Sequence, residues 1–157
     1  MRIIGIDPGT GILGFGIIEV NVRGKALLVD GGVIRTPVKE DDAVRLLTIY
    51  EELTDIIVNT KPQVMSVEKL FFAQNVTTAM TVAQARGIVL LTAMQAGLEI
   101  HEYTPLQIKQ ALTGYGRADK KQMQEMVRVI LGLKEIPKPD DCADALAAAL
   151  CCAQSVR

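Results

Sequence analysis

The chain has 157 residues, 49% of them hydrophobic and 22% charged, which is typical of one domain with a full apolar core. Its 17 Lys and Arg against 18 Asp and Glu give a net charge of −1, which neither indicates nor excludes a nucleic-acid partner. Three cysteines without a Cys-x-x-Cys pair, one histidine, no leading signal peptide and no apolar run of roughly 18 residues argue against a zinc site, a disulfide framework and a membrane protein, and suit the cytoplasm.

Hydrophobic periodicity predicts ten elements. The predicted strands are 2–7, 13–20, 26–35, 63–68 and 98–103, of which the first three form a meander. The predicted helices are 42–59, 76–96, 105–112, 119–132 and 141–154. This order predicts a single α/β domain over residues 1–157, with a five-stranded mixed sheet flanked by helices. Open sheets of this type bind ligands beyond the strand ends.

The helix predicted at 76–96 is apolar over most of its circumference. Between residues 82 and 96 the clearly polar side chains are Gln84, Arg86, Thr92 and Gln95. Such a helix needs cover on more than one side. Either the domain buries it completely, or a second copy of the chain covers it and the protein is a homodimer.

Acidic residues fall at the ends of three predicted elements. Asp7 and Glu68 each close a strand, and two further acids, Asp141 and Asp144, share a face at the start of the last helix. Each has an ordinary explanation, as a turn residue, an exposed strand end or a helix N-terminal acid. As a set they favour a metal site, because clustered carboxylates repel unless a cation binds. Oxygen ligands suit Mg²⁺ or Mn²⁺, and two such ions can activate water for phosphodiester hydrolysis.

Basic and aromatic residues lie on either side of these acids in the sequence. Residues 105–134 contain six Lys and Arg against two acids, a net charge of +4. A basic segment beside an acidic metal site suits a phosphate polymer, although a solvated helical face is the simpler interpretation. Phe71 and Phe72 follow Glu68 closely. An exposed phenylalanine there could stack on bases, and core packing is the alternative.

Four sequence blocks together resemble the signature of a known family. They are IGIDPG at 4–9, VEKLF at 67–71, QARG at 84–87 and DCADALA at 141–147. In this order and spacing the chain resembles the RuvC Holliday-junction resolvases from Met1 to about Ala153. The resemblance implies a ribonuclease-H-like fold and a homodimer that binds a four-way DNA junction. It also implies paired symmetric nicks that require Mg²⁺ and a branch-migration motor as a partner. The two-ion chemistry of clustered carboxylates predicts two ions per subunit.

The resemblance also implies roles for individual residues. The residues that match the family's catalytic and metal-binding acids are Asp7, Glu68, Asp141 and Asp144. Lys109 and Lys120 match lysines implicated in DNA contact and catalysis, and Phe71 matches an aromatic that stacks with bases near the crossover. Asp140 could replace Asp141 as a ligand, because it also shares a face with Asp144. The pattern D-x-x-D-A-L-A favours Asp141.

Other functions stay open from the residues alone. The stretch from Asp7 to Thr10 is also typical of sugar-kinase and actin-type nucleotide-binding domains, but those enzymes enclose the nucleotide between two such domains. A single-domain nuclease such as an RNase H, with another nucleic-acid substrate, is a second alternative. A junction-binding protein without catalytic activity, whose acids only cap helices and stabilise turns, is the third.

Overall fold

The computed structural model describes residues 1–69 and 76–156, and within these ranges it has five strands and five helices. The elements are β1 (Arg2–Asp7), β2 (Ile12–Val20), β3 (Ala26–Arg35), α1 (Asp42–Thr60), β4 (Val64–Glu68), α2 (Val76–Gln95), β5 (Glu99–Tyr103), α3 (Pro105–Thr113), α4 (Lys120–Leu131) and α5 (Asp140–Ser155). Every predicted boundary lies within one residue of the observed one, and the α/β class is confirmed. No helix in the described part of the chain combines the length and the apolarity that a membrane span requires.

The sheet is mixed, with the strand order β3-β2-β1-β4-β5. The meander β1-β2-β3 is antiparallel, whereas β4 runs parallel to both β1 and β5. Parallel neighbours end at the same edge of a sheet, and Ile6 of β1 is in register with Val67 of β4. The next residue on each strand is an acid, so Asp7 and Glu68 lie side by side at one edge.

The two faces of the sheet support two hydrophobic cores. Because side chains alternate along a strand, Ile4 and Ile6 point to the core that contains α1 and α2, whereas Ile3 points to the core that contains α3, α4 and α5. Asp7 follows Ile3 at an even spacing and so belongs to the face covered by α5. The same alternation along β4, from Val64 to Glu68, directs Glu68 to that face.

Among the described residues, helix α2 is covered on one side. Its buried residues Ala85, Val89 and Ala93 belong to the core under α1. On the outer side, Leu91 and Met94 are 51% and 66% exposed. Residues 1–69 and 76–156 therefore leave this side of α2 exposed, and a second copy of the chain as its cover stays a prediction.

Candidate active site

Helix α5 lies unusually close to the sheet because glycines face it. A Cβ atom built on Gly5 would lie 2.0 Å from the carbonyl oxygen of Ala145, and one built on Gly14 would lie 2.0 Å from that of Asp141. Such separations are impossible for real atoms, so the helix backbone occupies the space that side chains would need. Gly14 is the register partner of Asp7. The first turn of α5 is thereby held over the end of β1.

A serine on the neighbouring strand supports the same close packing. Ser66 is fully buried, and its hydroxyl donates a 2.7 Å hydrogen bond to the carbonyl oxygen of Ala148 in the middle of α5. The facing side of α5 carries Ala145, Ala148 and Ala149 and the thiol of Cys142, which lies close to Gly31 of β3. All three cysteines are buried and form no disulfide. Small side chains on both surfaces therefore set the distance between α5 and the sheet.

The sequence analysis missed these packing residues. Gly14 and Gly16 lie within a strand, where glycine is otherwise unfavourable, and they alternate toward one face. A Cβ on Gly16 would also lie too close to Leu146 of α5. Alternating strand glycines together with an alanine-rich helix were the signal that could have predicted the contact.

The four predicted acids occupy one electrostatic environment around Asp7. The pKa of Asp7 is raised to about 8, chiefly by burial and then by the negative charges of Glu68, Asp144 and Asp141, against an opposing effect of Lys120. Burial also raises the pKa values of Glu68 and Asp144, and each of these acids adds to the effect of burial on Asp7. Asp140, the neighbour of Asp141 in sequence, also raises the pKa of Asp144, though less than Asp141 does.

The two predicted lysines lie on the other side of the same cleft. A cavity of about 190 Å³ is lined by Glu68 and Asp144 and by Lys109 and Lys120. The Lys109 charge partly opposes the raised pKa of Glu68, and the Lys120 charge does so for Asp144. The structure thus brings together six of the seven residues predicted for the site, while Phe71 lies outside the described residues.

Capping residues fix the starts of α3 and α4 and thereby the position of Lys120. Thr104 and Asp119 each form a capping box that begins α3 and α4, in which their side chains accept from the backbone N–H groups of Gln107 and Gln122. Lys120 is the first residue of α4 and therefore extends from the helix end nearest α5. Its Nζ lies 3.0 Å from Asp140 Oδ2 and 3.6 Å from Asp144 Oδ2.

Not all of the basic segment is available to a polyanion. Arg128 forms an ion pair with Glu125 one turn earlier on α4, and it donates a hydrogen bond of 3.1 Å to the carbonyl oxygen of Leu133. The side chains of Lys109 and Lys120 instead meet acids across the cleft. The charge of +4 counted from the sequence is therefore distributed unequally over the segment.

The acids fit a hard divalent cation in chemistry and in charge. Their oxygen atoms are the ligands that Mg²⁺ and Mn²⁺ prefer, and a cation would relieve the repulsion that raises the pKa of Asp7. In residues 1–69 and 76–156, however, no three acidic, histidine or cysteine side chains converge closely enough to hold an ion. The carboxylates share an electrostatic environment without forming a finished coordination shell.

A mixed sheet of this topology, with acids where β1 and β4 end and at the start of α5, defines a nuclease of the ribonuclease-H-like class. The family model described as crossover junction endodeoxyribonuclease RuvC matches residues 3–152. The chain therefore belongs to the RuvC family and is an endonuclease. This match confirms the family predicted from the four sequence blocks. The family's nucleases depend on a metal.

Individual relatives agree with this family. The crossover junction endodeoxyribonuclease RuvC of Heliobacterium modesticaldum is 58% identical over 156 residues, which cover 99% of this chain and 96% of the relative. Thermus thermophilus RuvC, solved in complex with a Holliday junction substrate, is 41% identical with a TM-score of 0.95 and coverage of 100% and 95%. The yeast mitochondrial Holliday junction resolvase Ydc2 is 14% identical, with a TM-score of 0.69 over 97% and 77%, and shares the fold.

Proposed function

We propose that this protein is a single-domain endonuclease that resolves four-way DNA junctions in recombination and repair by paired symmetric nicks. Family membership supports the type of reaction. The observation that carries the site assignment is the buried carboxylate of Asp7, surrounded by three further acids that raise its pKa. An ionised carboxylate that is buried beside three other acids lowers the stability of the fold, so such a group indicates a functional role.

We assign the catalytic and metal-binding roles to Asp7, Glu68, Asp141 and Asp144. Asp7 is the centre of the set, because each of the other three raises its pKa. We propose that they hold Mg²⁺, with Mn²⁺ as a substitute, at two ions per subunit. When bound, these ions supply the charge that activates water and stabilises the leaving oxygen. The acids would hold the cations at the ends of β1 and β4 and compensate their charge.

The lysines of the cleft are proposed to bind the phosphate backbone. Lys109 and Lys120 face the acids across a cavity of about 190 Å³. A phosphate group entering there would meet two cationic side chains, which compensate its charge beside an acidic site. Phe71, which follows β4 in sequence, is proposed to stack with bases near the crossover.

A homodimer is part of the proposal. Met80, Leu91 and Met94 lie on one stripe of α2 and are 63%, 51% and 66% exposed. Gly87 lies on the same stripe, and the space where its Cβ would be is open. Two copies of such a stripe can pack closely as a pair of helices, and two active sites are what symmetric nicks require. A branch-migration motor as partner and a cytoplasmic location follow from the family resemblance.

The direct test compares cleavage of a synthetic four-way junction with cleavage of linear duplex DNA and of an RNA–DNA hybrid, with and without Mg²⁺. We expect Mg²⁺-dependent symmetric nicks in the junction alone. Preferred cleavage of the hybrid would instead favour an RNase H. Binding of the junction without any cleavage would favour a protein whose acids are structural.

The Asp7 assignment has its own variant. Asp7→Asn keeps the size of the side chain and removes its charge, and we expect it to lower the single-turnover cleavage rate by at least about a hundredfold. Junction affinity should be retained, since Asp7 contributes no positive charge. The matched control is Asp55→Asn, at an exposed position on α1, which should cleave at the wild-type rate. Full activity of Asp7→Asn would reject the assignment.

A further inference from the structure

Asp140 lies beside the proposed metal ligands and is more exposed than Asp144. Its side chain is 62% exposed, compared with 34% for Asp144 one turn later. Asp140 therefore lies at the margin of the acidic cluster, although the sequence allowed it to replace Asp141 as a ligand.

Both carboxylate oxygens of Asp140 are directed at α4. Oδ2 lies 3.0 Å from Lys120 Nζ, and Oδ1 accepts a 3.0 Å hydrogen bond from Gln124 Nε2. Lys120 and Gln124 are four residues apart and share one face of α4. Asp140 thus joins the first turn of α5 to the first two turns of α4.

Lys120 has a second, longer contact at the site itself. Its Nζ lies 3.6 Å from Asp144 Oδ2 and lines the cleft with Glu68 and Lys109. Asp144 is a proposed metal ligand, so a bound cation would engage its oxygens in place of Lys120. Asp140 would then be the acid that holds Lys120 at the entrance of the cleft.

We infer that Asp140 is a positioning residue, which holds the Lys120 ammonium at the active site and is not itself a metal ligand. This inference rests on the proposed function, because Lys120 is assigned there to the DNA backbone. Asp140 acts through one lysine. Removing the acid should therefore matter only when that lysine is present.

A double-mutant cycle on the cleavage rate tests this dependence. Asp140→Asn should lower the single-turnover rate about two- to fivefold, as expected for an exposed ion pair. In the Lys120→Ala background the same change should have no effect. Asp140→Glu, which keeps the charge, should restore most of the rate, and the Mg²⁺ concentration for half-maximal activity should not change in Asp140→Asn.

A matched control tests the alternative that Asp140 only joins α5 to α4 and has no effect through Lys120. Gln124→Ala removes the other hydrogen bond between Asp140 and α4 and leaves the contact with Lys120, so it should cleave at the wild-type rate. An equal loss in Gln124→Ala, additive losses in the cycle, or a greater Mg²⁺ requirement in Asp140→Asn would each overturn the inference. So would a wild-type rate in Asp140→Asn.

A second measurement needs neither DNA nor metal. Acetylation of the folded protein with an amine-directed reagent, followed residue by residue by mass spectrometry, should modify Lys120 faster in Asp140→Asn than in the wild type. Lys109 should react equally in both, and equal rates at Lys120 would contradict the tether. A wild-type protein that cuts no junction would overturn the proposed function, whereas cleavage with additive losses would overturn the role of Asp140 alone.

Discussion

Helices α5 and α2 cover opposite faces of the same sheet and differ in how completely they are buried. In α5, every residue from Ala145 to Ala153 is buried, and the helix packs backbone against backbone over Gly5 and Gly14. In α2, one side joins the core while Leu91 and Met94 stay exposed on the other. The buried helix brings acids to the strand ends. The half-exposed helix leaves an apolar stripe uncovered within the protomer.

This contrast shows two uses of small residues. Under α5, glycine is required because a Cβ atom would collide with the helix backbone. On α2, the position of a Cβ on Gly87 is open within the protomer. The same residue type therefore fixes a contact inside the domain in one region and leaves an open surface in the other.

The largest expected effect comes from the charge held beneath α5. The pKa of Asp7 is about 8 when folded and 3.8 as the ordinary value, so the folded state binds more protons between these pH values. In EDTA the free energy of unfolding should therefore fall as pH rises from about 4 to about 8, by up to about 1.4 kcal/mol per pH unit. Urea unfolding at fixed protein concentration measures this slope.

The variant Asp7→Asn should flatten that slope. At pH 8 without divalent ions it should be more stable than the wild type by about 2 to 5 kcal/mol, because the buried charge is gone. Asp55→Asn, at an exposed position, should keep the wild-type slope. If the slopes of Asp7→Asn and the wild type coincide, Asp7 is not the group that makes the α5 face sensitive to pH.

The next effect tests the close contact itself. Gly5→Ala places a Cβ where the carbonyl oxygen of Ala145 lies 2.0 Å away, and it should cost about 2 to 4 kcal/mol of unfolding free energy. The matched change on the other helix is Gly87→Ala, which has open space within the protomer. It should stabilise the monomer by about 0.5 to 1 kcal/mol when unfolding is measured below the dimer dissociation constant. Equal responses at both positions would remove the distinction between the two helices.

Magnesium should stabilise the folded protein through the acids beneath α5. At a free concentration 100 times its Kd, one bound ion adds about 2.7 kcal/mol to the unfolding free energy. The effect should be much smaller in Asp7→Asn, which lacks the carboxylate proposed as the central ligand. Thermal unfolding with Mg²⁺ and with EDTA at pH 8 gives the comparison, and a melting temperature indifferent to Mg²⁺ would argue against a site formed in the folded protein.

The smallest effect concerns the stripe on α2. Leu91→Glu introduces a charge at a 51% exposed position of the stripe and should raise the dimer dissociation constant at least about tenfold, or about 1.4 kcal/mol. Val129→Glu, at a 54% exposed position of α4, should leave it unchanged. Sedimentation equilibrium distinguishes the two, and equal weakening by both variants would point to a different dimer surface.

The sequence predicted most of the fold because its signals are local. The apolar run that ends at Asp7 and the one that ends at Glu68 predict strands, and their acids follow directly from the chain order. The capping residues Thr104 and Asp119 fix the starts of α3 and α4 within a few neighbours. These features depend on backbone geometry over short distances, which the residues themselves encode.

Contacts between distant segments required the tertiary structure. Hydrophobic periodicity does not predict that Gly14 lies against Asp141, because the two residues are far apart in the chain. Nor could it separate Asp140 from Asp141, since both share a helix face with Asp144. Only the packing of α4 against α5 gives Asp140 a lysine as its partner.

The sequence by itself therefore determined the elements, the identity of the acids and, by resemblance, the family. The tertiary structure decided how α5 approaches the sheet, which charges act on Asp7, and which side of α2 stays exposed. The physical reason is that hydrogen-bonded elements follow from neighbouring residues, whereas burial and electrostatic coupling depend on distances that only the assembled fold sets.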